Sequence, residues 1–201
     1  DLGEAWGAYN LAGCYLNGNG VPHNEENAFA YYQQAAEAEL ADGMNELAGC
    51  YANGIGTRQD DEKALFWYQK AAEKGNAFAM LKTGDYLRDN GYAAEARGWF
   101  EKVTEVADDE LRGWAFHRLG NMYKNGLLGA GNTSTALHFY EKASDHGCVQ
   151  GTLDLAHCYD DGVGVAVDKH RAASYYERVA KDGDDEQKGL ACLCLGAMYR
   201  E

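Results

Sequence analysis

The sequence predicts an all-α solenoid, an array of helical hairpins stacked along one axis, and three observations predict it. The phrase LAGCY at Leu11–Tyr15 returns letter for letter at Leu47–Tyr51. Variants of that phrase then recur down the chain at a nearly fixed interval. A single Pro in 201 residues leaves long helices uninterrupted.

Aligned on its tyrosine, the phrase reads LAGCY at Tyr15 and Tyr51, KTGDY at Tyr86, LGNMY at Tyr123, LAHCY at Tyr159 and LGAMY at Tyr199. The spacings are 36, 35, 37, 36 and 40 residues. Self-similarity at such a period marks supersecondary units that bury their apolar faces on one another. It gives one domain over 1–201, with units near 3–38, 39–75, 76–107, 108–147 and 148–183 and a partial unit at 184–201. The chain begins and ends inside the pattern, as expected of part of a longer protein.

Each phrase reads as a helix of three to four turns. At about 100° per residue, the Leu four before the Tyr, the small residue three before it and the Tyr itself form one stripe, assigned to the core. A second phrase follows five times: NAFAYYQQAA, KALFWYQKAA, EARGWFEKVT, TALHFYEKAS and RAASYYERVA. Its paired aromatics, Tyr31 and Tyr32, Trp67 and Tyr68, Trp99 and Phe100, Phe139 and Tyr140, Tyr175 and Tyr176, should lie against the first helix. Small residues let the helix axes approach and the aromatics fill the volume between turns.

Between the helices lie NGNGVP at Asn17–Pro22, NGIGT at Asn53–Thr57 and DGVGV at Asp161–Val165. The first Gly can take the left-handed conformation that ends a helix, and the second permits the reversal. The third unit has only DNG at Asp89–Gly91 and the fourth a longer GLLGAGN at Gly126–Asn132, so the array should bend or shift there. Asp108–Tyr123 and Asp184–Tyr199 match at nine of 16 positions, 76 residues apart, each after a connection four residues longer than the others. A pair of units copied together explains this and predicts a wider corner at Asp108 and Asp184.

The order L-[AG]-x-x-Y-x-x-G-x-G-[VIT], an acidic residue, then A-x-x-[WY]-Y-x-x-A-A and G resembles the Sel1-like repeats, a subfamily of tetratricopeptide-like helical repeats. The resemblance spans five nearly complete units and the first helix of a sixth. It implies a right-handed α-α superhelix of about five and a half helix-turn-helix units, whose concave surface binds a protein or peptide. It also implies two alternatives: a bacterial toxin-neutralising immunity protein, and the hydrolase or penicillin-binding activity linked to some cysteine-rich members.

Charge and chemistry narrow these. A net charge of −14 repels nucleic-acid phosphates and anionic membranes, while a basic protein or peptide fits it. No apolar run is long enough for a membrane span. Cys14, Cys50 and Cys158 each precede the unit's Tyr, and stacked helices at about 8–10 Å hold such positions beyond the ~7 Å Cα reach of a disulfide. Cys148 and Cys158 fall at opposite ends of one helix, and Cys192 and Cys194 diverge. Six free thiols are expected, which suits a reducing compartment. There is no CxxC or HExxH, so neither metal nor cofactor is expected. GLLGAGNTS lacks the Lys and preceding strand of a phosphate loop, and no serine has a lysine three residues later, so a non-catalytic protein is expected.

The face away from the core stripe gives the candidate binding residues, nine, six and two positions before the Tyr and one and two after it. They are Trp6, Tyr9 and Asn17, then Asn45 and Asn53, then Met80 and Arg88. Trp114, His117, Asn121, Lys124 and Asn125 follow, and His157 and Asp160 close the set. Trp6 and Trp114 lie outside the repeat phrase and suit an aromatic anchor. Arg88, Asn121, Lys124 and Asn125 together could accept a carboxylate.

Overall fold

The computed structural model describes residues 2–199. It holds eleven α-helices and no strand among the described residues: α1 Leu2–Asn17, α2 Glu25–Glu37, α3 Ala41–Asn53, α4 Asp61–Glu73, α5 Ala77–Asp89, α6 Ala93–Val106, α7 Asp109–Lys124, α8 Thr133–Asp145, α9 Val149–Asp161, α10 Lys169–Asp182 and α11 Asp185–Met198. They fall into two compact units, Asp1–Asn90 and Gly91–Glu201. The boundary lies in the DNG stretch of the third copy, the one whose loop lacks a second glycine.

Both units are built alike. In the first, α1 pairs with α2 and α3 with α4, and α2 packs on α3 and α4 on α5. In the second, α7 pairs with α8, α9 with α10 and α10 with α11, while α6 packs on α7 and α8 on α9. First helices also touch one another, α1 on α3, α7 on α9 and α9 on α11, with no comparable approach between second helices. First helices therefore form the tighter, inner layer of each unit.

The second aromatic of each pair is a core residue, and in α1–α2, α3–α4, α7–α8 and α9–α10 it is the volume around which the hairpin closes. Tyr32, Tyr68, Phe100, Tyr140 and Tyr176 are all buried, the last three completely. At about 25 cal/mol per Å2, each contributes roughly 2–3 kcal/mol of apolar burial. The first aromatic is half-buried and stacks on the repeat tyrosine, as in Tyr15–Tyr31 at 5.6 Å, Tyr123–Phe139 at 5.4 Å and Tyr159–Tyr175 at 5.7 Å. The Leu and small positions of the stripe are core in the second, fourth and fifth copies, with Leu47, Ala48, Leu119, Gly120, Leu155 and Ala156 buried, whereas Leu11, Lys82 and Leu195 are half-buried and Gly196 is exposed. The repeat tyrosine is not uniformly so. Tyr159 is buried, Tyr15, Tyr51, Tyr86 and Tyr123 are half-buried, and Tyr199 is exposed.

Two other expectations change. The extra residues before Asp108 and Asp184 do not widen the corner. α6 and α10 run one residue further and the corner shortens to two residues where the others have three, so the four extra residues lengthen the starts of α7 and α11. Asp108 and Asp184 cap the next helix at once, accepting from the N–H of Leu111 and Gln187, and the preceding Ala107 and Gly183 stay extended.

The second glycine of the loop does more than permit a reversal. A Cβ on Gly56 (φ 63°) would sit 2.1 Å from the carbonyl oxygen of Glu25, the first residue of α2. One on Gly164 (φ 77°) would sit 2.5 Å from that of Thr133, the first residue of α8. Gly20 (φ 74°) has nothing within 4 Å. These two loops therefore lodge a glycine against the start of the preceding second helix. Gly56→Ala and Gly164→Ala are expected to lower stability by about 2–4 kcal/mol, against about 1 kcal/mol for Gly20→Ala, where only the backbone conformation is strained. Urea unfolding followed by circular dichroism measures the difference.

Candidate binding site

The inner layer of each unit receives polar atoms from the core. The second-helix tyrosine reaches across the hairpin to the first-helix residue two before the repeat tyrosine. A Cβ on Gly13 would lie 3.9 Å from the Tyr32 hydroxyl, and one on Gly49 would lie 3.8 Å from that of Tyr68. In the fourth copy the residue there is Asn121, whose Oδ1 accepts from the Tyr140 hydroxyl at 2.6 Å. In the fifth it is His157, edge-on to Tyr176 at 5.5 Å. Tyr176 donates onward to Asp160 at 3.3 Å, and Lys169 holds the other oxygen of that carboxylate at 2.6 Å.

The second unit builds the larger constellation. His117 Nε2 lies 2.8 Å from Asp154 Oδ2 and 3.1 Å from Asn121 Nδ2, and Lys124 Nζ is 3.9 Å from Asp154 Oδ1. The Asp154 carboxylate oxygen accepts the proton on His117 Nε2, which leaves that nitrogen no lone pair for the neighbouring Asn121 Nδ2, so Asn121 is held through its Oδ1 by Tyr140. Tyr140 is buried and its hydroxyl pKa is pushed up by desolvation and then by Asp154. It therefore stays a donor at any ordinary pH. Trp114 stands at the end of this chain, edge-on to His117 at 6.1 Å with the Arg118 guanidinium 5.6 Å over its ring. It also lines an open cavity of about 400 Å3 whose other walls include Glu110, His146, Gln150 and Gln187.

The first unit repeats the plan 108 residues earlier, with Trp6 for Trp114, Tyr9 for His117, Tyr32 for Tyr140 and Glu46 for Asp154. Trp6 is 43% exposed and edge-on to Tyr9 at 5.4 Å, and Tyr9 is 5.7 Å from Tyr32. Glu46 is half-buried. Its Oε1 accepts from Asn45 Nδ2 at 3.1 Å, and no cation meets it among the described residues. Burial raises its carboxyl pKa, as does nearby Asp42, against the lowering by Asn45.

Of the other candidates, Asn17 and Asn53 donate back to Gly13 and Gly49 carbonyls at 2.9 Å and finish their own helices. Asn125 is exposed at the end of α7. Met80 is buried. Arg88 binds Asp85 and Asp89, each at 2.9 Å, on and beside its own turn. It belongs to the first unit, whereas Asn121, Lys124 and Asn125 belong to the second. Asp154, Glu46 and the Tyr140 hydroxyl were missed by sequence reasoning. The carboxylates sit five before the repeat tyrosine, near 220° at ~100° per residue, just outside the 100–200° face searched. The shared 108-residue offset with Trp6 and Trp114 was the signal available.

All six cysteines are free, three of them buried. Burial raises the thiol pKa of Cys50 to about 12 and raises those of Cys148 and Cys158. Ser144 is buried and bonded to Thr152 at 2.9 Å. No cluster of potential metal ligands exists among the described residues, and none of their helices is long and apolar enough to cross a membrane.

Equivalent acids should respond oppositely to neutralisation. The folded chain holds the Glu46 proton more tightly than the unfolded chain, so stability falls as pH rises through the interval between the two pKa values. Glu46→Gln is expected to be more stable than wild type at pH 7, with the gap narrowing toward pH ~4. Asp154→Asn, losing a charge-assisted bond to His117, should be less stable by about 1–2 kcal/mol. Urea melts at the two pH values read both.

A family model described as Sel1 repeat matches residues 7–40, 41–76, 117–148 and 150–184. A Sel1 repeat protein from Oxalobacter formigenes superposes with a TM-score of 0.80 at 26% identity, over 91% of this chain and 75% of its own. A protective antigen present in uropathogenic Escherichia coli strains, displaying an SLR fold, gives 0.82 at 27% identity over 98% of this chain, which spans 45% of the antigen's length. An immunity protein of Pseudomonas aeruginosa shares the fold, with a TM-score of 0.57 at 19% identity over 98% of this chain and 82% of its own. With repeat matches covering most of its length and the hairpins in the order its sequence requires, the chain belongs to the Sel1 repeat family.

Proposed function

We propose that the protein is a non-catalytic interaction scaffold that binds a protein or peptide on the inner layer of first helices. One observation carries the reading: Trp114 lines an open cavity of about 400 Å3 beside polar groups already fixed in pairs, Tyr140 on Asn121 and His117 on Asp154. An aromatic wall next to pre-ordered polar groups can accept a ligand with little further ordering, which is how rigid repeat arrays gain affinity. Catalysis is disfavoured by the same groups. The Tyr140 hydroxyl faces an amide, not the imidazole, Ser144 is buried against Thr152, and the buried thiols hold their protons.

A second reading within the same class is neutralisation of a toxin. The net charge of −14 favours it, because a strongly acidic surface suits a basic target and speeds its capture. Failure of the purified chain to bind or protect against the product of an adjacent toxin gene would remove it.

The scaffold reading predicts that Trp114→Ala, with helicity unchanged by circular dichroism, loses the partner that wild type captures from its native lysate. An anchor of this kind weakens binding roughly 30-fold or more on truncation. Undiminished capture by the variant would move the site away from the inner layer.

A further inference from the structure

The two equivalent sites differ in one respect that defines what the first lacks. In the second unit, the residue six before the repeat tyrosine is His117, and it supplies a nitrogen donor to the acid of the following copy at 2.8 Å. Lys124 adds a cation at 3.9 Å. In the first unit the corresponding residue is Tyr9, a neutral group, and Glu46 has no nitrogen cation from any described residue. Among the described residues its side-chain hydrogen bond is from the Asn45 amide.

Asn45 supplies a second, independent observation. It is 9% exposed, and its amide is turned to Glu46 so that Nδ2 is used while Oδ1 is left buried with no hydrogen-bond partner among the described residues. The two neighbouring atoms in want of a partner, a carboxylate oxygen and an amide oxygen, are both acceptors. Only a donor completes them, and the carboxylates of Glu46 and Asp42 exclude an anion. A group that is donor-only and positively charged, with an apolar stem to lie along aromatic rings, meets every condition. The rings are in place, with Tyr9 between Trp6 and Tyr32 and Trp6 open to solvent.

We propose that the first unit is a receptor site for an arginine side chain of a protein partner, its guanidinium on Glu46 and, with the Asn45 amide turned outward, on Asn45 Oδ1, and its stem and plane along Tyr9 and Trp6. The planar fork of arginine reaches two acceptors at once and stacks on aromatic faces, so it fits better than lysine. This rests on the scaffold reading and names the chemistry of its ligand. The raised pKa of Glu46 is consistent with a carboxylate held in want of a cation.

The test uses the whole chain and a defined probe. Acetyl-Gly-Arg-Gly-amide, and the same peptide with neutral citrulline in place of arginine, are titrated to millimolar concentration while the Trp6 indole and Asn45 side-chain amide signals are followed by NMR. Saturable shifts with the arginine peptide alone, weakened roughly tenfold by Glu46→Gln, are expected. Glu46→Gln removes a half-buried charge and keeps the shape, so it folds, and its spectrum confirms this. Equal shifts with citrulline, equal affinity in Glu46→Gln, or no saturable shift would overturn the proposal. Because Trp114 lies in the other unit, loss of the arginine site with Trp114-dependent capture intact sinks this inference and leaves the scaffold reading standing.

Discussion

The structure depends on one contact made in four hairpins, the second aromatic of the second helix buried against small residues of the first. Small side chains let two helices close on a ring, and that ring sets the hairpin's spacing. Gly120 shows how tight the fit is, since a Cβ there would come within 2.6 Å of the Tyr140 ring. Where the ring is tyrosine, its hydroxyl cannot stay among carbons and emerges on the inner face of the first helix. The polar wiring of the binding surface is thus a by-product of how the core is filled. In the third copy the ring is Phe100, completely buried, and no hydroxyl is delivered.

This coupling explains why first-helix chemistry varies while the hairpins do not. The residue two before the repeat tyrosine can be Gly, Asn or His because each accommodates the arriving hydroxyl in its own way: Gly13 and Gly49 make room, Asn121 accepts a bond, and His157 offers a ring edge. The residue five before it can be a carboxylate because the preceding copy faces it with Tyr9 or His117. Specificity is therefore written in pairs that span neighbouring copies, and a side chain's meaning depends on the unit before it.

Much of this was legible in the sequence and some was not, for physical reasons. The repeat tyrosine located the first helix of every copy, since its ring recurs at a fixed place on that helix and meets the second helix's aromatic pair. Trp114, His117, Asn121 and Lys124 were found together because a helical face can be read by angle. Asp154 was not, because the bond to His117 joins two helices that are 37 residues apart, and the angle on one helix says nothing about its neighbour's. The corners at Asp108 and Asp184 misled for a similar reason. Four extra residues can enter a loop or lengthen a helix, and the aspartate cap decided for the helix.

The glycine lodged on the preceding second helix has an evolutionary consequence. Gly56 belongs to one copy by sequence but completes the start of α2 in the copy before it, as Gly164 does for α8. A hairpin is therefore not the module that can be copied freely. Recombination at hairpin borders would part each lock from the turn it closes, whereas a segment running from the middle of one loop to the middle of the next carries lock and turn together. Growth and shortening of such arrays should favour breakpoints inside the loops, and the natural interchangeable piece is offset by half a repeat from the one the eye picks out.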